Sequence, residues 1–233
     1  MSSSQKDDQQ HTHKDYAEEL ADLRERLLKM GGRVEEMIAN SMSALINRDA
    51  ELAEETIASD HRVNRDEMEI DELCLLILAK RQPMAGDLRF ITIALKMVTD
   101  LERIGDLAVN ICRHTIDLYE LPKLGPYRDI PEMADYVKSM VKDAIDAFVD
   151  RDVGLAQEVI ERDDHVDDLY HKVNRELIDL MREQDEMVKA ATHVQSIAKH
   201  LERMADHTTN LAEQVIFMVR GKDIRHHNKL DLD

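Results

Sequence analysis

The feature that most constrains this chain is a charged helical signature that occurs twice, one hundred residues apart. Residues 100–110 read Asp100-Leu101-Glu102-Arg103-Ile104-Gly105-Asp106-Leu107-Ala108-Val109-Asn110, and residues 200–210 read His200-Leu201-Glu202-Arg203-Met204-Ala205-Asp206-His207-Thr208-Thr209-Asn210. Leu, Glu, Arg, Asp and Asn hold the same five places in both. Upstream, at a shift of 103, Arg48, Asp49, Leu52, Ala53, Glu55, Ile57, Asp60 and Val63 match Arg151, Asp152, Leu155, Ala156, Glu158, Ile160, Asp163 and Val166. The shift changes from 103 to 100, so the second copy has a turn three residues shorter, around Arg182-Glu183-Gln184-Asp185. A period near one hundred residues is too long for a solenoid unit and suits a duplicated three-helix domain.

Within each copy the apolar residues step by three and four, which is helical spacing. Leu20, Leu23, Leu27, Leu28, Met30, Val34, Met37, Ile38, Met42, Leu45 and Ile46 mark a first helix. Gly31-Gly32 interrupts it, which implies a kink or a close neighbouring backbone. Leu52, Ala53, Ile57, Val63, Met68, Ile70, Leu73, Leu75, Leu76, Ile77 and Leu78 mark a second helix, closed by Arg81-Gln82-Pro83. A third runs over 87–118. Seven glycines, four prolines and no tryptophan leave little for an all-β chain, so the fold predicted is all-α: six long helices in two pseudo-symmetric three-helix bundles. The boundaries expected are a disordered tail over 1–14, a first repeat over 15–120, a linker over 121–131, a second repeat over 132–221 and a tail over 222–233. Three of the four prolines fall in the linker, and Pro131 suits the first turn of the helix after it. Gly221 is placed to end the sixth helix.

A formal net charge of −18 repels nucleic acid and anionic lipid. No uncharged apolar run approaches the ~20 residues of a membrane span, so neither nucleic-acid binding nor membrane insertion is expected, and the place expected is the cytoplasm. Cys74 and Cys112 lie in apolar runs without metal-type spacing and read as buried free thiols.

Steps of four along a helix advance only about 40°, so Glu102, Asp106 and Asn110 form one oxygen-bearing ridge, and Glu202, Asp206 and Asn210 another. Glu102 stands in the otherwise apolar row Ile91, Leu95, Val98, Gly105, Val109 and Cys112, where an unpaired carboxylate is costly. Arg103 sits a quarter-turn away and could bridge Asp100 and Asp106; Arg203 is its counterpart. The neighbouring helices supply Asp60, Asn64 and Glu67, and in the repeat Asp163, Asp167 and His171. Converging carboxylates with few buried bases suit a divalent or trivalent metal ion such as Mg²⁺, Mn²⁺, Fe or Zn²⁺. A structural network of acids with arginine is the plainer reading of the same residues. A ferritin-type di-iron enzyme needs Glu-x-x-His on two helices, and that motif is absent from the sequence. His193, His200 and His207 recur every seven residues on the far side of the sixth helix and read as a solvated or interfacial stripe. His11, His13, His226 and His227 lie in the tails. No phosphate-cradling glycine loop, Gly-x-Ser-x-Gly or His-Glu-x-x-His occurs, so the chain reads as no enzyme.

These residues resemble the PhoU family, the accessory regulators of bacterial phosphate-specific transport, over about 16–228. The likeness rests on Met30-Gly31-Gly32, Ala79-Lys80-Arg81-Gln82-Pro83, Asp87-Leu88-Arg89, Leu101-Glu102-Arg103-Ile104-Gly105-Asp106 and Gly221-Lys222-Asp223-Ile224-Arg225-His226. The resemblance implies a non-enzymatic negative regulator of the phosphate-starvation response. Its implied partners are the ATPase subunit of the phosphate transporter and a sensor histidine kinase, with a homodimer also expected. It further implies metal clusters on Glu-x-x-x-Asp motifs, which fall here on Glu102 with Asp106 and Glu202 with Asp206. The second copy departs from the family pattern at Met204-Ala205 and Thr208-Thr209, so the two sites are not expected to be equal.

Overall fold

In the computed structural model the chain is described over residues 3–124 and 129–221, with side chains from residue 15 onward. The helices are α1 (Ser3–Asn47), α2 (Ala50–Arg81), α3 (Ala85–Leu118), α4 (Asp129–Asp150), α5 (Val153–Glu183) and α6 (Val188–Arg220). A short 3-10 helix, Asp185–Met187, leads into α6, where the second copy was expected to have the shorter turn. No strand occurs among the described residues, so the all-α fold of two three-helix repeats is as the sequence implied.

The repeat is visible in its corners. Arg48 and Arg151 both adopt left-handed backbone, with φ of 55° and 57°. The next residue in each case caps a helix: the Asp49 carboxylate accepts from the Leu52 amide at 3.0 Å and Asp152 from Leu155 at 3.1 Å. An N-terminal carboxylate satisfies an amide that has no helical partner, which is why the motif persists in both copies. Arg48 also donates to the carbonyls of Leu118 and Leu121, at 2.6 and 2.9 Å, so the first corner holds the exit of α3.

α1, α3, α4 and α6 form an inner layer, with α2 against α1 and α3 and α5 against α4 and α6. The two repeats meet along α3 with α6 and α1 with α4. Phe90 of α3 stacks on Phe148 of α4, ring centroids 4.7 Å apart, with the Arg24 guanidinium 4.8 Å from the Phe90 centroid. The outer position of α2 corrects its expected apolar face. Ala53, Val63, Ile70, Cys74 and Ile77 are buried and Leu52, Ile57, Leu73 and Leu78 pack half-buried beside them, while Met68, Leu75 and Leu76 are exposed. Leu28 and Ile46 of α1 are exposed as well.

Gly31-Gly32 does not break α1, which is continuous through it. A Cβ at Gly31 would stand 2.1 Å from Ile145 Cδ1 of α4, whereas one at Gly32 would meet nothing within 4 Å. The first glycine therefore admits a side chain of the other repeat, and backbone does not approach backbone there.

At the boundaries, α1 begins at Ser3, so the helical backbone extends through most of the stretch expected to be a tail; no Gly or Pro stands in 1–14 to stop it. His11 and His13 lie there, outside the described side chains. α4 begins at Asp129, inside the expected linker, and Pro131 falls in its first turn. Gly221 ends α6 at φ 68° and donates to the Phe217 carbonyl at 2.9 Å. The tail over 222–233, with His226 and His227, lies outside the described residues. Cys74 and Cys112 are free and buried, and burial raises both thiols to about 12.

Candidate functional site

Each repeat places its acids between its outer helix and the helix that carries the Glu-x-x-x-Asp motif. In the first, Asp60, Asn64, Glu67 and Asp71 descend α2 at steps of four, three and four, facing Glu102 and Asp106 of α3. Burial, with Asp106 next in effect, holds Glu102 above the usual carboxylate range, and Glu67 and Asp60 add to the push. Burial also raises Asp60, although Asn64 opposes it by donating to Oδ2 at 2.9 Å. Glu67 and Asp71 are raised by burial too, and for Glu67 the charge of Asp71 contributes. A Cβ at Gly105 would stand 3.5 Å from Val63 and 3.9 Å from Asp60 Oδ1, ordinary contact distances, and the second copy has Ala205 at this place.

The second repeat rebuilds this with Asp163, Asp167, Glu202 and Asp206. Burial lifts Asp163 to about 6, reinforced by Asp167 and Asp206. Burial and then Glu202 raise both Asp167 and Asp206. Glu202 is met by Lys199, whose ammonium lies 2.6 and 2.5 Å from its two oxygens and 5.3 Å from the Tyr170 ring centroid.

Buried oxygens without a hydrogen-bond partner mark both sites. They include Asp60 Oδ1 and its repeat counterpart Asp163 Oδ1, and Asp71 Oδ1 and its counterpart Asn174 Oδ1; Asn64 Oδ1 is another. Leaving such an atom unpaired costs ~1–3 kcal/mol. Two orphans recurring at equivalent positions, among acids that repel one another, form a donor set for a hard cation. The residues present therefore fit a metal ion held by oxygen. Among the described residues neither ridge gathers three acidic oxygens within 4.8 Å of one another. The acids instead spread toward the available bases, Arg103 and Lys199.

The acids of each ridge are near enough to act on one another's charge: Glu102 with Asp106, Glu67 and Asp60 in the first, with Asn64 bonded to Asp60, and Asp163 with Asp167 and Asp206, and Asp167 with Glu202, in the second. Asn110 is not drawn in: its Oδ1 accepts from Arg113 at 2.9 Å, and Asn210 is exposed. Arg103 corrects the expected bridge. Its guanidinium lies 3.2 Å from Asp106 and 3.5 Å from Glu102, whereas Asp100 turns to α6, where His207 Nδ1 is 3.0 Å away and Gln214 donates at 3.3 Å. Arg203 does not repeat this role; Lys199, one turn earlier, takes Glu202, and Arg203 acts electrostatically on His200. Asp71 and Asn174 were missed as site residues, though the four-three-four stepping that already held Asp60, Asn64 and Glu67 reaches Asp71. Lys199, three residues before Glu202, was missed as well.

The family model described as PhoU domain matches residues 27–115 and again 130–215, the two repeats. The chain is 42% identical over 210 residues to the phosphate-specific transport system accessory protein PhoU homolog of Aquifex aeolicus, covering 90% of this chain and 95% of that one. It is 41% identical to the homolog of the same name from Pseudomonas putida, covering 93% and 85%. The crystal structure of PhoU from Pseudomonas aeruginosa superposes with a TM-score of 0.84 at 40% identity, over 89% of this chain and all of the other. That of the phosphate transport system regulatory protein PhoU from Streptococcus pneumoniae gives 0.84 at 30% identity, over 89% and 98%. With both repeats matched and this identity over nearly the whole length, the chain belongs to the PhoU family.

Proposed function

We propose that this chain is a non-enzymatic, cytoplasmic regulator of phosphate uptake and signalling. It restrains the phosphate-starvation response by linking the ATPase of the phosphate transporter to a sensor histidine kinase. It works as a homodimer, and its two acidic ridges bind metal ions and form the docking faces when phosphate is plentiful. The observation that carries the metal reading is the recurrence of orphaned buried oxygens at equivalent positions, Asp60 with Asp163 and Asp71 with Asn174. An acidic structural network alone would be expected to close those atoms with arginine or amide donors. Membership of the PhoU family, and the relatives' name as transport-system accessory proteins, supports the partner reading. So does the exposed apolar surface of α2 at Met68, Leu75 and Leu76, which suits a protein partner. No described helix is long and apolar enough to cross a membrane.

The test is a pull-down of the transporter ATPase and the histidine kinase on purified protein in high and low phosphate, with elemental analysis of the same preparation. Capture of both partners, and metal lost on Glu102→Gln/Asp106→Asn with Glu202→Gln/Asp206→Asn, is the expected result. Wild type and variants equally metal-free would refute the site. Normal kinase capture by metal-free variants would leave a structural adaptor whose acids only pair with basic side chains.

A further inference from the structure

The seam between the repeats carries a second group of metal-competent side chains, about half a turn round α6 from Glu202. His114 of α3 and His193 of α6 face each other with Nδ1 atoms 3.0 Å apart. Asp117, one turn beyond His114 on the same face, has an oxygen 3.8 Å from that His193 nitrogen. One donor atom from each of the three lies within 4.8 Å of the others, and no other trio of His, Cys, Asp or Glu does so among the described residues. A third imidazole adjoins them: His200 stacks on His114 with centroids 5.4 Å apart, and its Nδ1 is buried without a hydrogen-bond partner. The stripe His193, His200, His207 is thus interfacial, and two of its members meet a histidine from the other repeat.

We propose that His114, Asp117 and His193 form a zinc site that pins the two repeats together at one end of the α3–α6 seam. Two imidazole nitrogens sharing a tetrahedral Zn²⁺ stand about 3.3 Å apart, close to the spacing already present. Two nitrogens with one carboxylate oxygen favour a borderline dication over Mg²⁺ or Ca²⁺, which take oxygen donors. His193 is well enclosed, its side chain 19% exposed, while Asp117 is 60% exposed, so an ion has an entry path and room for a water as fourth ligand. Burial, with His193 alongside, lowers His114, and burial lowers His200 to about 4. The site is not duplicated. The positions equivalent to His114, Asp117 and His193 are Gln214, Phe217 and Ile93. Its donors are wholly distinct from the acidic ridges, and the proposal does not rest on metal binding there.

The experiment uses the full chain with both ridges neutralised, Glu102→Gln/Asp106→Asn/Glu202→Gln/Asp206→Asn, titrated calorimetrically with Zn²⁺ and separately with Mg²⁺. Binding of one Zn²⁺ per chain with a rise in Tm, and no response to Mg²⁺, is expected. Adding His114→Ala/His193→Ala should weaken Zn²⁺ binding at least about 100-fold and abolish the Tm rise. The exposed Asp117→Asn tests the same point without disturbing the seam and should weaken binding about tenfold. Substitution by Co²⁺ should give the visible bands of a tetrahedral site. Absence of Zn²⁺ binding to the ridge-neutralised chain, or binding unchanged in the His114/His193 and Asp117 variants, would overturn the proposal.

Discussion

The two acidic ridges descend from one pattern and have diverged in charge. The first gathers Asp60, Glu67, Asp71, Glu102 and Asp106. In the second, Tyr170 replaces Glu67, Asn174 replaces Asp71, Asp167 replaces Asn64, and Lys199 replaces Thr99. The first has five acids and the second four, with a lysine ammonium seated on Glu202. In the first ridge the base is Arg103, 56% exposed and straddling the rim; in the second, Lys199 contacts both oxygens of Glu202, which is 13% exposed. A cation bound as proposed would find more charge in the first ridge, while in the second it would have to displace the Lys199 ammonium. Equal geometry therefore does not mean equal affinity.

The largest effect that would test this inequality is removal of the ligands themselves. Glu102→Gln/Asp106→Asn should lower cation affinity at the first ridge at least about 100-fold and leave the second as it was, with the converse for Glu202→Gln/Asp206→Asn. Elemental analysis at limiting metal should find most of the ion lost from the first variant; equal losses would break the comparison.

Next in size is a stability effect. Folded Asp163 keeps its proton until about pH 6, whereas the unfolded chain releases it near 3.8. Folding is therefore unpenalised below 3.8, loses stability as pH rises toward 6, and bears the full cost above that. Asp163→Asn should raise the unfolding free energy by about 2 kcal/mol at pH 7.5 in metal-free buffer, with the gain gone at pH 3.5. Urea titrations at the two pH values measure it. Asp60→Asn should move the same way.

Lys199→Thr removes the competing ammonium and should tighten Mn²⁺ binding at the second ridge about tenfold, the scale of one charge at partly exposed sites. Thr99→Lys should weaken the first ridge by a similar factor; calorimetry on single-ridge variants resolves both. Smallest is Tyr170→Glu, expected to gain about threefold because the equivalent Glu67 acts on Glu102 less strongly than Asp106 does. If Lys199→Thr changed nothing while Tyr170→Glu mattered, the difference between the ridges would lie in α5 and not in the lysine.

The repeat made the fold readable, because its period gave six helices before any contact was known; the turn expected to be shorter in the second copy is not, since 184–187 between α5 and α6 is no shorter than 82–84 between α2 and α3. The ridges were readable as far as they follow helical steps of three and four, which carried Glu102, Asp106, Asp60 and their counterparts. What stayed hidden depends on which helix meets which. The face of α2 was overestimated because a run of apolar residues does not tell how many neighbours a helix has, and α2 packs against only two. Arg103 was expected by helical angle to bridge Asp100 and Asp106; it reaches Asp106, while Asp100 has partners on α6. The histidine trio joins residues 79 apart in the chain, and no local spacing announces it.

The seam also speaks to descent. In a symmetric dimer of a single-repeat chain, both ends of the axis between partner helices must carry the same residues, so a mutation at one end strikes both. Here the contact of His114 with His200 at one end corresponds, at a shift of one hundred, to that of Gln214 with Asp100 at the other. Joining the halves through the segment between α3 and α4 freed each end to change alone. One end carries aromatic nitrogen bases while the other carries an acid and an amide, so one repeated position serves two contacts that change independently.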